Sequence, residues 1–421
     1  MKFQAIKGVR DILPPESALW NRVEQAAHEV FAAYGYGEIR LPIFEATELF
    51  ARSIGAETDV VAKEMYTFED RDDTSVTLRP EATASGVRAY IEHGMHTRPG
   101  NVKLYYIGPM FRRERPQKGR YRQFYQIGVE LLGPSDHPAL DAEVIEMLLA
   151  FFERIGLKGT ALSLNSIGDK VCRPKYVEQL RGALQKVRDK LGPDSQRRIE
   201  TNPLRVLDSK LPEEQPIIEK LPRIAEHLCD ACRDHYAELK RQLALRGIAY
   251  QENWRLVRGL DYYMRTTFEV TAPGLGSQDA VCGGGRYDGL VELLGGPAGT
   301  KGIGFAIGTD RVILSLEQSA EAKAQGGFDV YLAWMGAAAY PVAVALAQKL
   351  RRQGTAVELP AVEMKFGKSL NLADRLGARY AVILGEEELA AKQFTVKRLA
   401  DGDQKKLSES DLLTYLLPRT Q

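Results

Sequence analysis

The segment GPMFRRERPQKGRYRQFYQIGVELLG, residues 108–133, constrains the fold more than any other stretch of this chain. Apolar, strand-like sequence lies on both sides of a glycine-containing loop, which predicts two strands joined as a β-hairpin. Between Phe111 and Phe124 the loop holds six arginines or lysines against one acid, Glu114. A loop with this excess of positive charge faces either solvent or an anionic partner.

The second strand of the hairpin has two different faces, because side chains alternate across a strand. The apolar face, which we assign to the core, consists of Tyr125, Ile127, Val129 and Leu131. The other face consists of Phe124, Gln126, Gly128 and Glu130. This polar face either meets solvent or lines a pocket for a ligand that has a ring and an N–H group. Arginine's planar fork matches phosphate oxygens, so the adjacent basic loop favours a phosphate-bearing ligand.

The composition is that of a globular protein with two or three domains, since 44% of the 421 residues are hydrophobic and 27% are charged. The sequence has no apolar run of about 18 residues, and its start, MKFQAIKGVRD, lacks the apolar stretch of a signal peptide. We therefore expect no membrane contact and a cytoplasmic location. The net charge of +1 does not by itself indicate a polyanionic partner.

The order of predicted elements indicates an α+β fold with an insertion and a second domain. Residues 16–34 have helical spacing, residues from about 168 to 250 are charged and helical, and strand-like sequence resumes at FEVTAP and GIGFAIG. The polar segment 317–327 is the predicted linker, and strands alternate with helices after it. We predict a first domain over residues 1–320, with a helical insertion at about 168–250, and an α/β domain over residues 327–421.

The four cysteines, Cys172, Cys229, Cys232 and Cys282, are too few for a disulfide framework in a chain of this length. Within HLCDACRDH, the residue types that zinc prefers are His227, Cys229, Cys232 and His235. Residues 217–246 have helical spacing, however, and four ligands on one continuous helix do not converge on a tetrahedral ion. We predict no metal site there, and the pattern leaves open whether Cys229 and Cys232 bind a metal.

Two stretches that resemble phosphate-binding loops fail on spacing. FGKS needs an upstream glycine at the position of Val362, and the glycines of CGGGRYDGL indicate close backbone approach or a tight turn. Arginines are the better candidates for phosphate. Arg258 lies in LVRGLDYYMRTTFEV, and Arg311 lies at a predicted helix start, where the helix dipole favours anions. Arg311 is either a ligand-facing residue or a surface salt-bridge partner.

These segments, in this order, resemble the three signature motifs of class II aminoacyl-tRNA synthetases. YGYGEIRLPIFE with its Pro42 is similar to motif 1, FRRE with RQFYQIGVE to motif 2, and GFAIGTDR to motif 3. More specific resemblance to histidyl-tRNA synthetases lies in GVRDILPPE, LRPEATA, RRERPQKGRYRQF and LVRGLDYYMRTTFEV. The resemblance covers essentially the whole chain. It implies an antiparallel sheet flanked by helices, a helical insertion and a C-terminal α/β anticodon-binding domain.

The resemblance also implies roles for single residues. The ATP-binding residues would be Arg112 and Arg258 on the α-phosphate, Arg311 on the γ-phosphate, and Glu114 and Phe124 on the adenine. The histidine-binding residues would be Glu81, Thr83 and Gln126 around the α-amino group, Glu130 and Tyr263 on the imidazole, and Tyr262 and Tyr287 lining the pocket. The catalytic residues would be Arg112, Arg258 and Arg311. Asp310 departs from the family pattern, which usually has glutamate before the motif 3 arginine.

The implied activity is that of a histidine–tRNA ligase. It would activate L-histidine with ATP to histidyl-adenylate, with Mg²⁺ on the β- and γ-phosphates, and then transfer histidine to the 3′ end of tRNA(His). Motif 1 implies a homodimer. The remaining loop cations either face the tRNA acceptor end or are solvated: Arg113, Arg115, Lys118, Arg120 and Arg122.

Two other functions fit the same fold. A catalytically inactive relative would regulate histidine biosynthesis or sense uncharged tRNA, and it would bind without reacting. The intact arginines and carboxylates of the proposed site disfavour it. A different ATP-dependent ligase would be expected to change the segment RGLDYY, which is intact here.

Overall fold

The computed structural model describes residues 3–55, 58–276, 279–318 and 327–416. The chain divides into two compact units, Met1–Lys323 and Ala324–Gln421. Most of the predicted linker, residues 319–326, lies outside the described residues.

The first unit is built on an eight-stranded sheet and a smaller three-stranded one. Their strands are, in chain order, β1 (Gly37–Glu38), β2 (Phe44–Ala46), β3 (Tyr66–Glu69), β4 (Ser75–Leu78), β5 (Val102–Phe111), β6 (Gln123–Gly133), β7 (Ala161–Ser166), β8 (Gln251–Glu252), β9 (Met264–Thr271), β10 (Ala280–Arg286) and β11 (Lys301–Gly308). The orders are β1-β5-β6-β11-β10-β9-β7-β8 and β2-β4-β3. The central strands of the large sheet pair antiparallel, whereas β1 and β8 add parallel edges.

Helices flank these sheets. They are α1 (Glu16–Ala33), α2 (Thr47–Ile54), α3 (Thr83–Glu92), α4 (Pro138–Arg154), α5 (Arg173–Gln185), α6 (Pro193–Thr201), α7 (Gln215–Ile218), α8 (Asp230–Leu245), α9 (Leu290–Leu293) and α10 (Thr309–Glu317). Shorter helical turns occur at Val60–Glu64, Met95–Thr97, Arg188–Lys190, Pro203–Val206, Pro212–Glu214 and Ile224–Glu226. A large, mostly antiparallel sheet flanked by helices confirms the predicted α+β class.

The predicted hairpin is present as β5 and β6, which pair from Val102 with Leu132 to Phe111 with Gln123. The face of β6 assigned to the core is buried, since Ile127, Val129 and Leu131 pack among apolar residues of α1, α4 and α10. Helix α1 coincides with the predicted helix, and its buried residues recur every fourth position. The opposite, polar face of β6, which includes Phe124 and Gln126, lines a cavity.

The predicted helical insertion lies between β7 and β8 and has a core of its own, to which Tyr176, Leu180 and Ile218 belong. The predicted continuous helix over residues 217–246 is wrong, because α7 ends at Ile218 and α8 begins only at Asp230. Pro222 lies between them, and proline removes a backbone donor and crowds the preceding turn of a helix.

The second unit has a mixed five-stranded sheet of order β13-β12-β14-β15-β16. Its elements are β12 (Val330–Trp334), α11 (Ala339–Arg352), β13 (Val357–Glu358), α12 (Phe366–Arg375), β14 (Tyr380–Leu384), α13 (Glu386–Ala391), β15 (Phe394–Arg398), β16 (Gln404–Leu407) and α14 (Glu409–Tyr415). Strand β12 pairs parallel with β13 and β14, and all of its residues are buried. Such a continuous apolar run is typical of a strand covered on both faces.

None of the helices among the described residues combines the length and the apolar character that crossing a membrane requires.

Candidate active site

A cavity of about 260 Å³ opens on the polar face of the large sheet, within the first unit. Its lining includes residues that the sequence analysis assigned to a ligand site: Glu81, Thr83, Arg112, Glu114, Phe124, Gln126, Arg258, Tyr262, Tyr263, Tyr287 and Arg311. The twelfth, Glu130, is bonded to two of these residues, Thr83 and Tyr287. Residues from widely separated segments therefore meet at one place, while the role of each remains a prediction.

One end of the cavity is built around the carboxyl group of Glu130, which is only 1% exposed. The hydroxyl of Thr83 donates to it at 2.7 Å, and the Tyr287 hydroxyl donates to its other oxygen. Gly304 lies opposite on β11, where a Cβ would overlap the Glu130 carboxyl group. A second acid, Glu81, accepts the backbone N–H groups of Thr83 at 2.8 Å and Ala84 at 2.9 Å.

Burial raises the pKa of Glu130 from its ordinary 4.5 to about 8. The hydroxyls of Tyr287 and Thr83 lower the pKa in part, and the nearby Glu81 raises it further. Burial also raises the pKa of Glu81, against the effect of the two N–H groups that donate to it. Burial therefore disfavours the ionised form of Glu130, and a cationic or N–H-bearing ligand beside it would favour that form.

Aromatic rings enclose this end of the cavity. Tyr262 lies 4.7 Å from Tyr263 and 5.8 Å from Tyr287, measured between ring centroids. Tyr106 of β5 also lines the cavity, and the sequence analysis missed it. The predicted hairpin could have identified it, because Tyr106 pairs with Gly128 across the hairpin and therefore lies on the same polar face.

The other end of the cavity is cationic. The Nε atom of Arg112 donates to the Pro80 carbonyl at 2.9 Å, and the Arg112 guanidinium lies 5.4 Å from the Phe124 ring centroid. Arg258 pairs with Glu269 of β9 at 3.2 Å. Gly283 of β10 leaves room for Arg258, since a Cβ there would overlap its guanidinium group.

Two buried polar atoms at this site have no hydrogen-bond partner among the described residues. They are Nε of Arg258 and Oε1 of Gln126. A buried donor or acceptor without a partner costs about 1–3 kcal/mol, so such atoms in a cavity are well placed for a ligand to satisfy.

Glu269 was missed by the sequence analysis, although a lone carboxylate in an apolar strand was the same signal that identified Glu130.

The motif 3 segment is fixed by backbone contacts. Arg311 donates to the carbonyls of Gly119 at 3.2 Å and Ala280 at 2.7 Å. Asp310, in the position where the family pattern has glutamate, accepts the N–H of Tyr125 at 2.9 Å and a guanidinium hydrogen of Arg10 at 3.2 Å. The aspartate therefore connects α10 to β6 and to the GVRDILPPE segment, a contact between distant segments that the sequence analysis did not find.

The basic loop is partly paired with its own acid. Glu114 lies 3.3 Å from Arg120 and 4.0 Å from Arg112. The exposed cations of the loop are Arg113, Arg115 and Lys118. The two readings of these exposed charges, a solvated surface or contacts with a polyanion, both stay open.

The comparisons with known proteins agree with this geometry. A family model described as histidyl-tRNA synthetase matches residues 8–312, and one described as an anticodon binding domain matches residues 329–419. The histidine–tRNA ligase of Solibacter usitatus (strain Ellin6076) is 54% identical over 98% of this chain and 99% of its own length. That of Koribacter versatilis (strain Ellin345) is also 54% identical, over 98% of this chain and 96% of its own length.

Solved structures give the same result. The apo histidyl-tRNA synthetase of S. aureus has a TM-score of 0.80 and 38% identity, covering 99% of this chain and 100% of its own. A Bacillus halodurans protein described as an ATP phosphoribosyltransferase regulatory subunit/histidyl-tRNA synthetase has a TM-score of 0.62 over 88% of this chain and 97% of its own. At 21% identity that likeness concerns the fold alone. The resemblance found in the sequence is confirmed, and the chain belongs to the histidyl-tRNA synthetase family.

Proposed function

We propose that this protein is a histidine–tRNA ligase. In the first step the carboxylate of L-histidine attacks the α-phosphorus of ATP, which forms histidyl-adenylate and releases pyrophosphate. In the second step the 3′-hydroxyl of the terminal adenosine of tRNA(His) attacks the acyl carbon and releases AMP. The observation that carries the proposal is one cavity with buried carboxyl groups and tyrosines at one end and a group of arginines at the other.

The carboxyl end suits an imidazole. Glu130 and Tyr263 would bond the two ring nitrogens, with Tyr262 and Tyr287 enclosing the ring. An amino acid without a ring N–H would give the buried Glu130 only its two protein donors, Thr83 and Tyr287, and sites built to bond a substrate N–H reject analogues by about 10⁴ or more. The α-amino group would lie against Glu81, Thr83 and Gln126, whose buried Oε1 would accept one of its hydrogens.

The arginine end suits a triphosphate. Arg112 and Arg258 would hold the α-phosphate from two sides, and Arg311 would hold the γ-phosphate. Fixed donors of this kind stabilise the charge that grows on the phosphoryl oxygens during attack, and they cost no reorganisation at that moment. Phe124 would stack on the adenine ring and Glu114 would contact its edge.

We propose that Mg²⁺ reaches the site as part of the Mg–ATP substrate. Two carboxylates lie at the phosphate end of the cavity, and each faces an arginine, Glu114 with Arg120 and Glu269 with Arg258. Carboxylates paired in this way make a poor set of protein ligands for the ion, and Mg²⁺ commonly keeps water and phosphate oxygens as ligands.

The assignment of the remaining parts is also a proposal. Residues 1–320 would be the catalytic domain, and residues 327–421 would bind the tRNA anticodon, supported by the two family matches. The exposed cations of the basic loop would contact the acceptor end. The protein would act in the cytoplasm as a homodimer, and two exposed apolar residues of motif 1, Ile43 and Phe44, offer a surface for the second subunit.

Pyrophosphate exchange into ATP tests the proposed function, with each amino acid supplied singly. Exchange with histidine alone is expected. Folded protein that exchanges with no amino acid would instead support the inactive regulatory or tRNA-sensing relative. Exchange with a different amino acid would point to another ligase, and transfer to tRNA would then be measured with the amino acid that reacts.

A further inference from the structure

The cysteines of the insertion lie in a cluster that the sequence analysis did not anticipate. Asp169, Cys172, Cys229 and Cys232 each offer one ligand atom, and these four atoms all lie within 4.8 Å of one another. The two histidines of HLCDACRDH lie elsewhere, since His235 bonds the Asp136 carbonyl at 3.2 Å and His227 packs on the ring of Tyr176. A metal was disfavoured because four ligands on one continuous helix do not converge, and the break between α7 and α8 removes that reason. The residues that could bind an ion are Asp169 and the three cysteines rather than the two histidines.

The distances within the cluster are close to those of a tetrahedral zinc site. Zn–S bonds of about 2.3 Å and Zn–O bonds of about 2.0 Å place a sulfur and an oxygen ligand about 3.5 Å apart. Oδ1 of Asp169 lies 3.5 Å from Sγ of Cys172 and 3.9 Å from Sγ of Cys229. All the ligand atoms lie within 4.8 Å of one another, whereas two sulfurs bound to one tetrahedral ion lie about 3.8 Å apart, so the side chains would draw together by up to about 1 Å around the ion.

The spacing of the ligands is that of a two-part zinc site. Asp169 and Cys172 form one D-x₂-C pair, and Cys229 and Cys232 form a C-x₂-C pair. Each pair lies at a helix start, because Cys172 directly precedes α5 and Cys229 directly precedes α8.

The surroundings fit a closed structural site. Cys172 and Cys232 are buried in the apolar core of the insertion, and Asp169 is also buried, whereas Cys229 is partly exposed and leaves an entry path. Arg265 lies 3.6 Å from Oδ2 of Asp169, whereas Cys172 and Cys229 contact Oδ1 of the same carboxylate. Three thiolates and a carboxylate around Zn²⁺ would carry a net charge of −2, and a nearby arginine offsets it as an outer ligand partner commonly does.

We propose that Asp169, Cys172, Cys229 and Cys232 bind one Zn²⁺ ion, which holds the two ends of the helical insertion together. The ion would have a closed set of four protein ligands, and its role would be structural rather than catalytic. The site needs no substrate, so its occupancy is independent of the proposed ligase activity. Cys282, the remaining cysteine, lines the active-site cavity and is not part of the cluster.

The direct test is the metal content of the full-length chain, purified under reducing conditions without chelators. Wild-type protein and the control variant Cys282→Ser should both contain about one zinc per chain, and Cys232→Ser should lose it. Equal zinc content in wild type and Cys232→Ser would overturn the proposal, because the ion would then bind elsewhere.

If Cys232→Ser does not fold, a cobalt titration of the wild-type protein tests the proposed site instead. Wild-type protein stripped of metal should bind Co²⁺ with a break at about one equivalent, the visible bands of a tetrahedral ion and a thiolate-to-cobalt charge-transfer band. Chelation of the wild-type protein should also lower its thermal midpoint, and added Zn²⁺ should restore it. Reduced wild-type protein with free thiols, no zinc and no cobalt spectrum would refute the site, as would a disulfide within the cluster that persists in reductant.

Discussion

Replacement of Glu130 by glutamine tests the electrostatics of the carboxyl end of the cavity. The folded protein holds the Glu130 pKa at about 8, against 4.5 for an ordinary glutamate. The folded state therefore binds a proton more tightly than the unfolded state. The stability that Glu130 contributes is complete below about pH 4.5 and is lost as the pH rises through about 8.

The size of this loss follows from the pKa values. Each tenfold change in proton affinity is worth about 1.4 kcal/mol, so raising the pKa from 4.5 to about 8 corresponds to about 5 kcal/mol over the whole range. Between about pH 6 and about pH 8.5 the wild-type protein should lose about 2.5 kcal/mol of unfolding free energy through this one group. Glu130→Gln has no proton to lose, and its amide oxygen can still accept from Thr83 or Tyr287.

The assay is urea unfolding of both proteins at the two pH values. The difference in unfolding free energy between wild type and Glu130→Gln should change by about 2.5 kcal/mol, because groups that do not interact with Glu130 titrate alike in both proteins. A matched control is Glu213→Gln, an exposed acid of the insertion, which should leave the pH dependence as in wild type. If wild type and Glu130→Gln lose stability in parallel, within about 0.5 kcal/mol, Glu130 is ionised in the folded protein and the reasoning fails.

Three further substitutions test other parts of the structure. Arg258→His should leave the binding of ATP and histidine largely in place and lower adenylate formation about 10²- to 10³-fold, measured by single-turnover kinetics; equal losses in binding and turnover would contradict the catalytic role. Asp141→Ala should cost about 3–5 kcal/mol in urea unfolding, because it leaves the fully buried Arg286 without its main partner; a loss under about 1 kcal/mol would show that the pair is unimportant for stability. Gly304→Ala should destabilise by about 1–3 kcal/mol, because its Cβ would overlap the Val129 carbonyl oxygen and the Glu130 carboxyl group. Gly182→Ala, with open space around a Cβ in α5, should stabilise by about 0.5–1 kcal/mol; equal effects at the two glycines would refute the packing argument.

The sequence predicted the elements that depend on local pattern. Helix α1 and the β5–β6 hairpin follow from spacing alone, because a buried helix face and a buried strand face leave periodic apolar positions. Strand β10 was missed, since the run Cys282-Gly-Gly-Gly indicated a tight turn or a close approach rather than a strand. Its glycines lie in a central strand where side chains of neighbours, such as Arg258 at Gly283, occupy the space above the sheet.

The same contrast between local pattern and long-range packing applies to the residues of the candidate site. Glu130 and Gln126 could be placed on one face from alternation, whereas the partners of Arg258 and Asp310 could not, because Glu269 and Arg10 reach them only through the fold. The roles of single residues came from family resemblance rather than from pattern. Contacts between distant segments are set by how elements pack, and the spacing of residues within one element carries little information about them.

The insertion contains long-range contacts of this kind, which the spacing of its residues does not predict. Residues 167 and 168 exchange backbone hydrogen bonds with Arg265, at 2.8 Å and 2.7 Å, and Arg173 donates to the carbonyl of Tyr263 at 2.6 Å. The cysteine cluster therefore adjoins the segment that carries Tyr263 into the cavity, although nearly a hundred residues separate Asp169 from it in the chain. Because Tyr263 itself packs in the core of the insertion and also lines the cavity, an ion bound by the cysteine cluster would also fix one wall of the cavity. Loss of the ion is therefore expected to disturb that wall, whereas the binding of the ion itself needs no substrate.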